Sequence, residues 1–150
     1  MTTFPHLGDL AALEGQEIGR SDWVTVTQTN IDQFAQATGD AQWIHVDPVR
    51  AAAGPFGAPV AHGFLTLSLL PRLFADAVAF EDVRMSLNYG LDRVRFPSPV
   101  PVGSRLRALC VLDTFQAIEG GAQVTVTVTV EREGGAKPAC VAQWVTRHFV

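Results

Sequence analysis

Two side chains able to move protons stand five positions apart in the segment TGDAQWIHVDP, residues 38–48: the carboxylate of Asp40 and the imidazole of His45. On a continuous helix they would lie roughly 140° apart, at about 100° per residue, and would not share a face. A turn could bring them together, because Gly39 precedes Asp40 and glycine tolerates left-handed backbone. Gln42 and Trp43 lie between them, and His62-Gly63 opens the next apolar run. A carboxylate and an imidazole that meet in a partly apolar pocket can share general acid–base work near neutral pH. The first amides of a buried helix, Gly63 among them, can hold an oxyanion. Base, acid and oxyanion donor are what water addition to a carbonyl-conjugated double bond requires: the water is deprotonated, the α-carbon is protonated, and the developing enolate is held.

Each of these residues also has a structural reading. An aspartate after a helix-ending glycine commonly forms a turn, a single histidine is commonly a satisfied structural one, and His62 can cap a helix or wall a pocket. Spacing alone leaves both readings open.

Other chemistries find less support. The chain has no G-x-S-x-G, no phosphate-binding loop and no H-E-x-x-H. His6, His45, His62 and His148 lack metal-ligand spacing, so no metal is expected. Cys110 and Cys140 are too few for a disulfide framework and sit in strand-like runs, which suits two buried free thiols in a reducing compartment. The net charge of −4, with ten scattered arginines and a single lysine, Lys137, argues against a nucleic-acid footprint. Arg84, Arg93, Arg95, Arg105 and Arg107 read mostly as solvated strand faces, with one or two free to meet phosphates. The first residues, MTTFPHLGDL, lack the basic and apolar regions of a secretory signal. The greasiest stretch is shorter and more interrupted than the ~20 apolar residues that span a bilayer. The expectation is a soluble cytoplasmic protein with no nucleic-acid or membrane partner.

The elements that must position Asp40 and His45 follow from local pattern. DWVTVT, residues 22–27, reads as a short strand. QTNIDQFAQATG carries Ile31, Phe34, Ala35 and Thr38 at helical spacing, with Thr27 or Thr29 as the cap and Gly39 as the stop. Asp47 and Pro48 start a second short helix, and GPFGAP, residues 54–59, is a loop. AHGFLTLSLLPRLFADAVAF is apolar on nearly every side, which predicts a centrally buried helix, kinked or divided at Pro71. From Val83 the period changes to two. RMSLNYGLDRVRF reads as one or two strands, residues 104–119 as a long strand, AQVTVTVTVERE as a valine face backed by threonines, and PACVAQWVTRHFV as the last strand. Turns fall at residues 119–121 and 133–135. At 150 residues this makes one domain, residues 1–150, of α+β class, an antiparallel sheet around a buried helix. An apolar content of 47% against 17% charge suggests a covered surface, which predicts a homodimer.

FAQATGDAQWIHVDP followed by GPFGAPVAHGFLTLSLLPRLF resembles the MaoC-like hydratases, the (R)-specific enoyl-CoA hydratase family, and within it the NodN-like branch with its similar GD-x-QWIH-x-D segment. The resemblance runs from about Thr27 through NYGLDRVRFPSPV to Val102. It implies a hot-dog fold, an antiparallel sheet wrapped around a long central helix, usually dimerising into a continuous sheet. It also implies hydration of trans-2-enoyl-CoA to (R)-3-hydroxyacyl-CoA, with an acyl-CoA substrate and no metal or redox cofactor. The family's catalytic pair maps onto Asp40 and His45, and its oxyanion glycine onto Gly63; His62, Gln42, Trp43 and Asn88 are further candidates for substrate contact in this chain. Many relatives have Asn-Pro where this chain has Gln42-Trp43, so that asparagine's role carries over loosely, and the Trp43 ring is a candidate for narrowing the acyl tunnel. The alternatives are a hot-dog acyl-CoA thioesterase and a non-catalytic acyl-thioester-binding subunit.

Overall fold

A computed structural model describes all 150 residues. Eight strands and five α-helices follow in the order β1 (Thr2–Phe4), a 3-10 turn (Leu7–Ala12), β2 (Glu17–Arg20), β3 (Val24–Thr25), α1 (Gln28–Thr38), α2 (Trp43–Val46), α3 (Pro48–Ala52), α4 (Gly63–Ser68), α5 (Leu70–Ala77), β4 (Val78–Phe80), β5 (Met85–Arg95), β6 (Arg105–Ile118), β7 (Gly121–Arg132) and β8 (Cys140–Phe149). The main sheet is antiparallel, in the order β2-β6-β7-β8-β5, with β3 also on β6. β1 and β4 form a separate parallel pair.

Period-two patterning decides which face of the sheet is inside. Val124, Val126, Val128 and Val130 of β7 are fully buried, while the intervening threonines are only half-buried. Leu106, Ala108, Cys110 and Leu112 of β6 continue this inner layer. The helical run lies across it, with α5 packed on β6 and β2, α4 against β8, and Leu70 and Leu73 fully buried. This is the hot-dog arrangement.

The central helix is divided as Pro71 predicts, and it differs from expectation in its exposure. It is two helices, α4 and α5, meeting at Leu69, because Pro71 sits in the first turn of α5 and cannot donate to the preceding turn. It is also not buried on every side: Leu65, Leu70, Leu73 and Phe74 point inward, but Phe64 is 66% exposed. The uncovered side faces β5, an eleven-residue edge strand on which Met85, Leu87, Tyr89 and Leu91 are exposed. DWVTVT contributes only the two residues of β3 to the sheet, since Thr27 is taken as the cap of α1. Both cysteines are free and buried, and burial pushes their thiols up to about 12 at Cys110 and about 11 at Cys140. On the outer face Arg105 and Arg107 pair with Glu133 and Glu131. No helix is long and apolar enough to cross a membrane.

Candidate active site

The turn carrying Asp40 is built from both ends. Thr27 Oγ1 accepts from the amide of Asn30 while Asn30 Oδ1 accepts from the amide of Thr27, a reciprocal cap that contributes about 1 kcal/mol to starting α1. Gly39 ends α1 at φ +78°, its amide donating to Ala35 O at 2.8 Å. The left-handed residue reverses the chain, so Asp40 and the short α2 fold back instead of continuing the helix. Gln28 at the start of α1 then donates its side-chain amide to the carbonyl of His45 at 2.9 Å, tying α2 to α1. Asp47 caps α3 by accepting from the amide of Arg50.

His45 is buried, and its Nδ1 lies 2.6 Å from the carbonyl oxygen of Val60. A carbonyl can only accept, so Nδ1 carries the proton and Nε2 is left with a free lone pair. Val60 is itself fixed: its amide donates to Ile44 O, it bridges to Pro101, and Ala61 N donates to Val100 O. His62 is also buried. Its Nε2 donates to the main-chain carbonyl of Asp40 at 2.8 Å, and Nδ1 has no partner in the chain. The two imidazoles stack with centroids 3.8 Å apart and planes 23° from parallel, and the Phe34 ring packs against His62 at 4.9 Å, tilted by 53°.

Asp40, His45 and His62 each place a ligand-type atom within 4.8 Å of those of the other two, with Asp40 exposed and the histidines buried. A metal fits this trio poorly. One nitrogen of each ring is already committed to a carbonyl, and lone pairs in planes only 23° apart cannot both aim at an ion about 2.0–2.1 Å from each. An imidazole with a free Nε2, one ring nitrogen of which lies within 4.8 Å of an exposed carboxylate oxygen, suits proton transfer to or from a small molecule.

Gly63 shares with His45 a cavity of about 320 Å³, walled by Ile44, Val60, Thr66 and Phe96. It is the first residue of α4, so its amide has no acceptor within the helix. The ring of Phe96 packs so closely that a Cβ at Gly63 would lie 3.1 Å from it. The polar donors at this spot therefore face an apolar wall.

The other expected contacts lie elsewhere. Gln42 is exposed and serves α2 through its backbone, its carbonyl accepting from the amides of His45 and Val46. Trp43 is half-buried under the Arg50 guanidinium, 4.5 Å above its ring, and packs on Gly54 rather than lining the cavity of His45 and Gly63. Asn88 stands on the edge strand β5, in the wall of a different hollow. The sequence reading missed the Val60 carbonyl, Gln28 and Phe96. The first is a backbone group with no side-chain signal; the other two lie far from the motif in sequence.

Comparisons with known proteins bear on the family and the fold. Residues 9–134 match the family model for the MaoC-like domain. The 3-hydroxyacyl-thioester dehydratase Z of Mycobacterium tuberculosis is 56% identical over 149 residues, covering 99% of both chains. Nodulation protein N of Rhizobium leguminosarum bv. viciae is 51% identical, covering 93% of this chain and 89% of the relative. Among solved structures, a MaoC-like dehydratase from Rhodospirillum rubrum superposes with a TM-score of 0.76 at 22% identity, over 96% of each chain. The (R)-hydratase from A. caviae involved in PHA biosynthesis superposes at 0.67 and 24% identity, over 87% of this chain and 95% of that one. Family match, close relatives and shared fold lead to one conclusion: the chain belongs to the MaoC-like dehydratase family.

Proposed function

We propose that the protein is a hydro-lyase of acyl thioesters, and specifically an (R)-specific enoyl-CoA hydratase that converts trans-2-enoyl-CoA to (R)-3-hydroxyacyl-CoA without a metal or redox cofactor. The observation that carries this reading is the tautomer of His45. With Nδ1–H held by the Val60 carbonyl, Nε2 is free to take a proton, and the Asp40 carboxylate stands within reach of the same water. Hydroxide adds to the β-carbon as the water's proton moves to the Asp40–His45 pair. Electron density shifts to the thioester oxygen, where the Gly63 amide stabilises the enolate. The proton held by the pair then goes to the α-carbon. One water is added and nothing else is consumed; the reverse sequence dehydrates the 3-hydroxyacyl thioester. The name of the mycobacterial dehydratase relative supports the thioester class.

We further propose a homodimer through β5. An eleven-residue unpaired edge with four exposed large apolar side chains invites pairing with a second copy, and such pairing would also cover Phe64.

The test is a spectrophotometric assay with trans-2-enoyl-CoA of several lengths, following loss of the conjugated thioester's ultraviolet absorbance, with chiral analysis of the product. Signal loss without free thiol, giving the (R)-3-hydroxy product, is expected. Thiol release would point to thioester hydrolysis, and a folded protein inert at every length would overturn the hydratase.

A further inference from the structure

A larger hollow, of about 460 Å³, opens beside the C-terminal half of α5, apart from the cavity of His45 and Gly63. Phe74, Phe80, Val83 and Trp144 give it apolar walls, and no Asp, Glu, Lys or Arg lines it. Its polar groups are gathered on β5 and β8. His148 is 3% exposed, and burial pushes its imidazole down to about 4, so it is uncharged at neutral pH. Phe74 stacks on it at 6.4 Å and Phe80 tilts against it at 5.3 Å.

The hydrogen bonds around this imidazole form a directed chain. Thr146 Oγ1 donates to the carbonyl of Val124 at 3.4 Å, and so receives the proton of His148 Nε2 at 2.9 Å. Nδ1 is then the acceptor, and Ser86 donates its hydroxyl proton to it at 2.8 Å. The chain ends at Ser86 Oγ, whose remaining lone pairs are free to accept. Asn88, two residues along the same strand, adds an amide to the same wall. An acceptor and an amide in an uncharged aromatic pocket match an uncharged hydroxyl on an apolar chain, because a carboxylate or ammonium would lose its hydration with no opposite charge to meet.

The hollow does not stand alone. A neighbouring one of about 350 Å³ shares Pro71, Asn88 and Trp144 with it and runs along α4 to Leu67, about 6 Å of helix from Gly63. We infer that the Ser86–Asn88 wall is a subsite for a hydroxyl group on an aliphatic chain, with Thr146 and His148 positioning Ser86 as the acceptor. The identity of the chain as the tail of the acyl thioester rests on the function proposed above.

Two measurements test this separately. In the first, calorimetry of the intact protein uses 1-decanol, decanoate and decylamine as probes. Decanol is expected to bind and the two charged probes are not. Ser86→Ala on the exposed edge strand should weaken decanol about tenfold. Ala75→Phe, at an exposed position of α5 lining the hollow, should abolish binding by filling it. Decanol that fails to bind, or binds Ser86→Ala and Ala75→Phe as it binds the wild type, overturns the subsite. In the second, the ratio of kcat/KM for ω-hydroxylated over plain trans-2-enoyl-CoA of equal length is compared between wild type and Ser86→Ala. The ratio should fall from about ten toward one. An unchanged ratio in an active enzyme overturns the tail assignment with the hydratase intact, whereas decanol binding without turnover of any enoyl thioester upholds the subsite and overturns the hydratase.

Discussion

The imidazole of His62 lies face to face with that of His45, centroids 3.8 Å apart, while its Nε2 donates to the main-chain carbonyl of Asp40 at 2.8 Å. One side chain thus fixes both members of the proposed pair: the ring of one by its own ring, the backbone of the other by a hydrogen bond. His62→Gln can keep a donor at the Nε2 position, whereas His62→Ala loses donor and stacking surface together. His62→Ala is expected to lose about 10–100-fold in kcat, in the range seen for groups that orient catalytic ligands, with KM little changed. His62→Gln should recover much of that loss. Steady-state kinetics of the two variants decide it; equal losses would mean that the bond to Asp40 O does not matter.

Asp40→Asn and His45→Gln should each lower turnover by about 10²–10⁴, the usual cost of removing a positioned acid or base. Asp40 is exposed, so its variant should melt with the wild type. His45→Gln gives up the bond to Val60 O and should lose about 1 kcal/mol of stability in addition. Enoyl-thioester hydration and thermal denaturation, run side by side, separate the two effects. Wild-type turnover in either variant would remove the pair from the mechanism.

Gly63 and Phe96 should behave non-additively. A methyl group at position 63 would press on the Phe96 ring at 3.1 Å, moving the ring or the helix start by a few tenths of an ångström. Gly63→Ala is expected to lower kcat/KM about tenfold. Trimming the ring in Gly63→Ala/Phe96→Ala should return part of that activity, a coupling visible in a double-mutant cycle.

The buried His148 makes stability depend on acid. Its imidazole is held at about 4 in the folded chain against an ordinary value of 6.5, so between these values the unfolded chain binds the extra proton. Stability should be insensitive to this group above about pH 6.5, fall as pH drops from there, and level off below about 4. The full loss is roughly 3 kcal/mol, since each pH unit between the two values contributes about 1.4 kcal/mol. Urea midpoints at pH 7, 5.5 and 4.5 should show a steeper decline in the wild type than in His148→Gln. Parallel declines would refute the assignment to this residue.

If β5 is the dimer seam, a charge placed in its middle should open it. Leu87→Lys and Leu91→Lys, both at exposed positions of the edge strand, should give a monomeric mass by light scattering where the wild type gives twice that mass. A monomeric wild type at micromolar concentration would exclude the seam.

The β-rich half was legible because its signal is local. Alternating valine and threonine sets the inner face of β7 whatever the sheet order, and the Thr27 cap and Gly39 stop fix α1 from side chains within one turn. The meeting of Asp40 and His45 was legible only as a possibility opened by Gly39. What brings the histidines together, Val60 O and the stacking of residues seventeen positions apart, has no local pattern. The central helix reads as centrally buried because apolar residues occupy nearly every face of it. The structure leaves one of those faces toward an open sheet edge, a relation between elements that periodicity cannot encode. The short strands β1, β2 and β4 escaped because their pairing depends on distant partners, as when Gly19 meets Cys110.

The bridge from Val60 to Pro101, and the bond from Ala61 to Val100, have a consequence for how the protein is made. Asp40 and His45 leave the ribosome early, but the Val60 carbonyl that selects the imidazole tautomer is held by a segment synthesised some forty residues after Val60, at the threshold of β6. A nascent or truncated chain that stops before residue 100 therefore carries the whole TGDAQWIHVDP motif with nothing to set its proton. Grafting that peptide onto another scaffold would transfer the letters without the base, and a split protein should regain activity only when the fragment bearing residues 100–102 docks back onto the loop before α4.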